Sequence, residues 1–389
     1  MKEWQQRKFG ELYKVPSRNG LSKPSRVRGS GYKMINMGEL FANDRIYDID
    51  MELVPLTDSE KEKAKVESGD LLFARQSLIA SGAGKCSIVM KTSELTVFES
   101  HLIRVRLDQE IADPMFYYYY FKSPRSPMRT IVEHCVQAGI KASDLEKLLV
   151  KVPPIEEQRK TARVLSRIDK KIEVNKEINE NLADLLQTIY QEHFSNISLA
   201  EKQGILSDIC SYSKEKVAVS KLSVSNYFST ENMLPGKAGA TEATSLPTIL
   251  QTTACHKGNT LISNIRPYFR KIIYCEDECG CSTDVLCFAP VQAQYAAYLF
   301  STLYADKFFD FMVAGSKGTK MPRGDRQQIM TYPIFLPSEE ELETFNTVAF
   351  PILAQLDSNR VESKQLSELR ETLLPKLMSG EIDVSDLDI

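Results

Sequence analysis

Val152 to Phe194 reads VPPIEEQRKTARVLSRIDKKIEVNKEINENLADLLQTIYQEHF, and this stretch decides the architecture. Its proline pair, Pro153-Pro154, suits the end of a strand and the start of a helix, because proline lacks the N–H that a first helical turn leaves unused. From Glu156 onward neither proline nor glycine occurs until well past Phe194. Thr161, Leu165, Ile168, Ile172, Asn175, Asn179, Leu182, Leu186 and Ile189 step at alternating four and three, a heptad seam. Such a seam implies roughly 58 Å of helix at ~1.5 Å per residue. Two asparagines stand in it where leucine would be more stable, a pattern that fixes register or partner. Taken alone, the stretch also suits a long surface helix on a globular core.

A second copy decides between these readings. Leu336-Pro337-Ser338-Glu339-Glu340-Glu341 opens another long helical pattern, reaching about Met378. Its seam is Leu342, Phe345, Ala349, Ile352, Leu356, Asn359, Ser363, Leu366, Arg370, Leu373 and Leu377. Ser338 and Glu341 have capping-box spacing. Asn359 lies 184 positions after Asn175, and Pro337 lies 183 after Pro154. Pro351 predicts a kink or short break near Phe350. Two such helices in one chain most simply pack on each other. The pairing candidates are Leu165, Ile168, Ile172, Asn175 and Leu182 against Ile352, Leu356, Asn359, Leu366 and Leu373.

The chain therefore reads as block, helix, block, helix. Its 389 residues allow two or three domains with real cores, and 42% hydrophobic with 26% charged residues is ordinary for a soluble protein. No apolar run approaches the ~20 residues of a membrane span, and Met1-Lys2-Glu3-Trp4-Gln5-Gln6 is unlike a signal peptide. Eight cysteines without an export signal imply reduced thiols, hence a cytoplasmic location. The net charge of −3 is unevenly spread. Residues 1–152 carry +4, 153–200 carry −1, 201–337 carry +2 and 338–389 carry −8. The two blocks are mildly basic, and the acid gathers in the second helix and tail. That distribution is compatible with nucleic acid at the blocks.

Within the first block a Gly/Ser-rich basic loop runs from Pro16 to Gly31. Ser68-Gly69-Asp70-Leu71-Leu72-Phe73-Ala74-Arg75 reads as a turn and a buried strand leading into a small-residue loop, Ala80 to Gly84. Arg75 and Gln76 enter that flexible loop directly, so their side chains are expected to reach outward. The helical run Met115–Phe121 holds four consecutive tyrosines. Aromatics can stack bases, but four in a row on a helix point in every direction, so most are read as packing. The second block repeats the plan loosely. Lys257-Gly258-Asn259-Thr260-Leu261-Ile262-Ser263-Asn264 echoes Ser68–Arg75, placing Arg266, Arg270 and Lys271 where Arg75 and Gln76 stand. Tyr295–Phe311 echoes Met115–Thr130, and Gly318-Thr319-Lys320-Met321-Pro322-Arg323 echoes Gly139-Ile140-Lys141-Ala142-Ser143. A kept framework with changed loops is what two different binding surfaces require.

Catalytic motifs are absent. Ser81-Gly82-Ala83-Gly84-Lys85-Cys86 resembles the end of a phosphate loop, but Ile79 replaces its first glycine and Cys86 its magnesium-binding hydroxyl residue. Cys275, Cys279, Cys281 and Cys287 lack the CxxC pairs of structural zinc sites, and read as strand cysteines. His101, His134, His193 and His256 sit in no motif. No metal or cofactor is expected in this chain.

Three strings carry a family resemblance: Pro153-Pro154-Ile155-Glu156-Glu157-Gln158; Ile168-Asp169-Lys170-Lys171-Ile172-Glu173-Val174-Asn175-Lys176; and Leu369-Arg370-Glu371-Thr372-Leu373-Leu374-Pro375-Lys376-Leu377-Met378-Ser379-Gly380-Glu381-Ile382. They resemble the specificity subunit of type I restriction–modification systems, and Ser68–Arg75 looks like the strand and loop of its target-recognition domains. The resemblance spans essentially the whole chain, with a weaker strand signature in the second block. It implies a mixed α/β fold built as a tandem duplication with pseudo-twofold character. Target-recognition domains at 1–152 and 201–337 would be separated by antiparallel coiled-coil helices at 153–200 and 338–389. It also implies a non-catalytic reader of bipartite double-stranded DNA that docks methyltransferase (modification) and restriction (translocase/nuclease) subunits, the complex using S-adenosylmethionine, ATP and magnesium. DNA-contact candidates are Arg18, Lys23, Arg26, Arg28, Arg75, Gln76, Lys85 and Lys141 in the first block. In the second they are Asn264, Arg266, Arg270, Lys271, Lys317, Lys320 and Arg323. A DNA-binding regulator or a coiled-coil scaffold without enzyme partners are the alternatives; the first needs no duplicated helices, the second no matched cationic loops.

Overall fold

Leu71, Leu72, Phe73 and Ala74 are all fully buried, because the sheet they belong to is covered on both faces. Leu71 and Phe73 point into a core with the aromatic helix Pro114–Lys122, while Leu72 and Ala74 point into a second core with Met34, Val97 and Phe98. A strand so placed shows no polar alternation. The computed structural model describes residues 4–77, 82–134, 138–194 and 203–384. The chain divides into two compact units, Met1–Ile172 with Lys364–Ile389, and Glu173–Ser363. Both divisions fall inside the long helices, Ile155–Phe194 and Glu339–Ser379.

The units share one plan. In the first, a five-stranded sheet runs Tyr13–Asn19, Leu102–Leu107, Leu71–Ala74, Cys86–Val89 and Arg45–Ile46. In the second, a four-stranded sheet runs Cys210–Tyr212, Val285–Pro290, Thr260–Ser263 and Ile272–Tyr274, the same order of equivalent strands. Each unit adds a smaller sheet with one parallel pair, Tyr32–Ile35 with Thr96–Phe98 and Tyr227–Phe228 with Cys279–Cys281. Entry and exit strands pair antiparallel: Gln5–Lys8 with Leu149–Val152, and Gln203–Ile205 with Pro333–Phe335. Each block is thereby closed before the chain passes into its long helix.

The turn before the central strand is built twice from the same chemistry. Gly69 and Gly258 sit at φ +90° and +86°, where a side chain would be strained. Asp70 then accepts from the Glu67 N–H at 2.7 Å, and Asn259 from that of His256 at 2.9 Å. The helix Pro114–Lys122 starts on Asp113, whose carboxylate accepts from the Phe116 N–H at 2.8 Å. Tyr117, Tyr118, Tyr119 and Tyr120 are all buried, and each hydroxyl has a partner, such as the Lys151 carbonyl for Tyr117 and Asp169 for Tyr119.

Three sequence expectations need correction. Pro351 does not interrupt the second long helix, which is continuous from Glu339 to Ser379. Pro351 and Thr347, whose carbonyl loses its donor, both lie on the exposed face, where water serves that carbonyl. The helix openings match at an offset of 184, since the first helical residues are Ile155 and Glu339. Pro154 therefore corresponds to Ser338 and Pro153 to Pro337, one position from the sequence pairing. Pro154 caps through its carbonyl, which accepts from Gln158 N–H at 3.0 Å, whereas Ser338 and Glu341 form a reciprocal capping box. The third correction is the loop pairing at the candidate site.

Candidate nucleic-acid interface

The backbone register of the two blocks sets which loop residues are equivalent. After the central strand, Arg75 donates its N–H to His101 and accepts from Ile140, at 2.8 and 2.9 Å. Asn264 makes the same two bonds in the second unit, to Asp284 at 2.8 Å and from Gly324 at 3.3 Å. Asn264 thus occupies the place of Arg75, as the two octets align them, and Arg266 lies two residues further on. Gln76 pairs with Gly139, as Ile265 pairs with Arg323. Gly139 therefore matches Arg323, five residues beyond the Gly318 read from the sequence, and the helix-capping Lys141 matches Asp325. Loops of unequal length hid this register.

Arg75 and Gln76 are also less free than expected. Gln76-Ser77 is the edge of a small ribbon with Ala138–Gly139 and Glu133–His134, and Arg75 lies half-buried with Nη1 3.5 Å from the Ser100 carbonyl. The loop beyond them, 78–81, lies outside the described residues and includes Ser81 of the phosphate-loop look-alike.

Lys23, Arg28 and Lys85 of the first-unit candidates are neutralised within the fold. Lys23 pairs with Glu60 at 2.8 Å and Arg28 with Glu52 at 2.6 Å. Lys85 turns to Asp44 at 3.3 Å and to the Phe41 carbonyl at 2.8 Å. Arg18 is exposed and touches the Lys63 carbonyl at 3.3 Å; Arg26 and Lys141 are exposed. In the second unit Arg270 pairs with Asp306 at 2.9 Å, Lys317 with Asp325 at 2.6 Å and Arg323 with Asp284 at 3.1 Å. Lys271 is held by the Thr230 carbonyl at 2.6 Å, and burial pushes its ammonium below the ordinary lysine range. Lys320 is exposed. Among the described residues Asn264 Oδ1 and Arg266 Nε are buried without a hydrogen-bond partner. Such paired cations tie the loops to neighbouring elements.

The helix-pairing positions divide between the units. In the first, Thr161, Ala162 and Leu165 are buried, Leu165 packing in one core with Leu374, Leu377 and Met378 and with Leu373 beside it. Ile168, Ile172 and Leu366 are half-buried. Asp169 binds Arg370 at 2.7 Å, Arg45 at 2.6 Å and the Tyr119 hydroxyl at 2.6 Å. In the second unit Leu186 joins Leu342, Phe345, Ala349 and Ile352, with Leu182 and Leu356 packed alongside. Asn175 Nδ2 donates to Glu362 at 2.8 Å and Ser363 at 3.2 Å. Asn359 donates to Asn179 at 2.8 Å, and Asn179 to the Leu356 carbonyl at 3.1 Å. The helices run antiparallel, with amides bonded across the seam.

Sequence reasoning missed Lys237, which joins the Arg270 loop through its backbone, and Gln158. The fully buried Gln158 ties the start of the first helix to Asp113 N–H at 2.8 Å and to the Ile111 and Pro153 carbonyls. A glutamine ending the Pro-Pro-Ile-Glu-Glu-Gln string was the available signal. Cys275, Cys279, Cys281 and Cys287 are buried together with Cys255 between the two sheets of the second unit. Among the described residues no group of three or more His, Cys, Asp or Glu side chains is placed to hold a metal ion. Nor is any helix among them long and apolar enough to cross a membrane.

These features define a duplicated α/β protein with two long antiparallel helices. Residues 1–184, a little under half of the chain, match the family described as type I restriction modification DNA specificity domain. The chain is 28% identical over 187 residues to the EcoKI specificity subunit of Escherichia coli K12, a match covering 46% of this chain and 39% of that subunit. Against the MjaIX specificity subunit of Methanocaldococcus jannaschii it is 21% identical, covering 84% of this chain and 82% of the other. Its fold is similar to the crystal structure of the type I system S subunit from M. genitalium, with TM-score 0.62, 16% identity and 96% of each chain covered.

Proposed function

We propose that this chain is the DNA-reading subunit of a type I restriction–modification complex. Each unit would contact one half of a split duplex target, and the paired helices would set the gap and dock methyltransferase subunits, with restriction subunits joining that core. The observation that carries this is the repeated block: the same sheet order and the same strand-to-loop register, ending in different polar residues, Arg75 and Asn264. Arginine pairs in bidentate fashion with guanine, so loops that carry different polar residues on one scaffold can read different bases. Lysines and arginines around them would position the phosphates. The chain itself would neither cleave nor methylate DNA; S-adenosylmethionine, ATP and magnesium would serve its partners, in the cytoplasm.

Co-expression with a methyltransferase subunit and genome-wide mapping of methylated bases tests this. The expected result is one bipartite motif with a fixed gap, lost when this chain is omitted. Arg75→Ala should relax only one half of the motif and Arg266→Ala only the other. Methylation independent of this chain, or turnover by the purified chain alone, overturns the reading.

A further inference from the structure

Among the described residues three non-glycine residues have positive φ: Lys237 at 63°, Arg266 at 51° and Arg270 at 52°. All three meet at one loop of the second unit. Arg266 and Arg270 bracket the turn Pro267-Tyr268-Phe269, and Lys237 donates its N–H to the Arg270 carbonyl at 2.9 Å. Glycine would take these conformations without strain, and strain of this kind persists only where the surroundings over-determine it. Here they do. Arg266 N–H bonds to Pro322 at 2.8 Å, Gly236 N–H to Phe269 at 2.8 Å and Arg270 N–H to Pro267 at 2.9 Å, with Pro267 itself buried. Asp306 binds both Arg270 and Lys237, at 2.9 and 2.6 Å.

The rigid turn presents two aromatic rings to solvent. Tyr268 is 50% and Phe269 39% exposed, their centroids 4.7 Å apart, and Met321 of the adjoining segment is 51% exposed. Large rings held outward on a fixed backbone suit a partner with an apolar face. Cations lie beside them: Arg266 and Arg270 on the turn, and Lys317, Lys320 and Arg323 on the 317–323 segment bonded to it, with Asp306, Asp325 and Asp284 pairing Arg270, Lys317 and Arg323. Stackable faces beside clustered cations are the chemistry of a nucleic-acid contact.

We infer that Tyr268 and Phe269 form a preorganised wedge that inserts partway at one base step of the duplex contacted by the second unit. This rests on the DNA-reading role proposed above. Insertion unstacks the step, favouring flexible pyrimidine–purine steps and adding preference at a position no hydrogen bond reads.

The full chain, assembled with its methyltransferase subunit, is presented with a pool of random-sequence duplexes. The recovered sequence is then remade with 2-aminopurine replacing each purine of both strands in turn, so that every base pair is probed. With the target bases that the methyltransferase flips out set aside by their place in the motif, the wild type should brighten one further step, in one half-site. Tyr268→Ala with Phe269→Ala should abolish that signal and weaken binding roughly five- to 150-fold, the range of aromatic–base stacking, leaving preferences in the other half-site unchanged. Tyr268→Phe should keep the signal, and Tyr268→Ser alone should reduce it, which guards against misfolding of the double variant. A wild-type complex with no further brightened step, or a double variant that keeps one, overturns the wedge while leaving the DNA-reading role standing. So does loss of methyltransferase assembly with the fluorescence pattern intact, which would make the turn a protein contact. A wild type that enriches no sequence removes both.

Discussion

Asp169 gathers three polar partners from distant parts of the first unit, Arg45, Tyr119 and Arg370. Its side chain is only 11% exposed and faces the guanidinium groups of Arg45, 8% exposed, and Arg370. Those partners lie 124 positions before it and 201 after it, so one carboxylate joins the globular block to both long helices. Removing it leaves two cations facing each other in a largely dry site. Breaking a buried pair costs about 3–5 kcal/mol because an uncompensated charge remains. Asp169→Asn should therefore destabilise the protein by about that amount in urea unfolding, while Arg370→Met, which removes the better-solvated cation, should cost less. Equal losses from both, or no loss from Asp169→Asn, would show that water already reaches the cluster. This role was not legible in the sequence. Asp169 stands in a quoted family string, but nothing there marks partners so distant. Asn175 and Asn359 were legible, because an amide inside a heptad seam is anomalous against its apolar neighbours.

At the scale of elements, periodicity carried information where one face was buried and lost it where both were. The long helices show their seam at three-and-four spacing, and every seam position is buried or half-buried. The central strands gave composition without direction, since both faces pack. Loop register stayed hidden because it depends on backbone pairs such as Ile265 with Arg323. The strap at the end of the second unit's smaller sheet was hidden too. Glu215, His256 and Glu278 stand at the ends of three adjacent strands, and His256 bonds to the two carboxylates at 2.9 and 2.6 Å. The bond to Glu215 raises the imidazole above its ordinary value, partial burial opposes this, and Glu278 raises it further. A raised folded value means the strap's contribution is complete below the unfolded value, about 6.5, and is lost as pH climbs through the folded one. His256→Gln should lower the melting temperature at about pH 6, with the difference shrinking steadily toward about pH 9. The strap is largely exposed, so the effect should be small and weaken in salt. A difference that grows with pH would reverse the assignment.

For the whole molecule, the charge asymmetry and the duplication argue together. Residues 1–152 and 201–337 are net basic at +4 and +2, and 338–389 carry −8. An acidic helix is a poor surface for DNA but tolerable as a separator, so under the proposed function duplex contact would fall to the blocks and geometry to the helices. If the helices act as a spacer, their length should set the gap between half-sites without touching the bases read. One heptad added after Asn179, matched by one before Leu356, keeps the three-and-four seam and lengthens each helix by about 10 Å at ~1.5 Å per residue. At ~3.4 Å per base pair, the methylated motif should gain about three base pairs in its gap. Its two half-site sequences should stay the same. Methylome mapping of cells carrying the lengthened chain reads both quantities at once. An unchanged gap would mean the helices do not measure distance, and altered half-sites would mean that they help to shape the loops that read them.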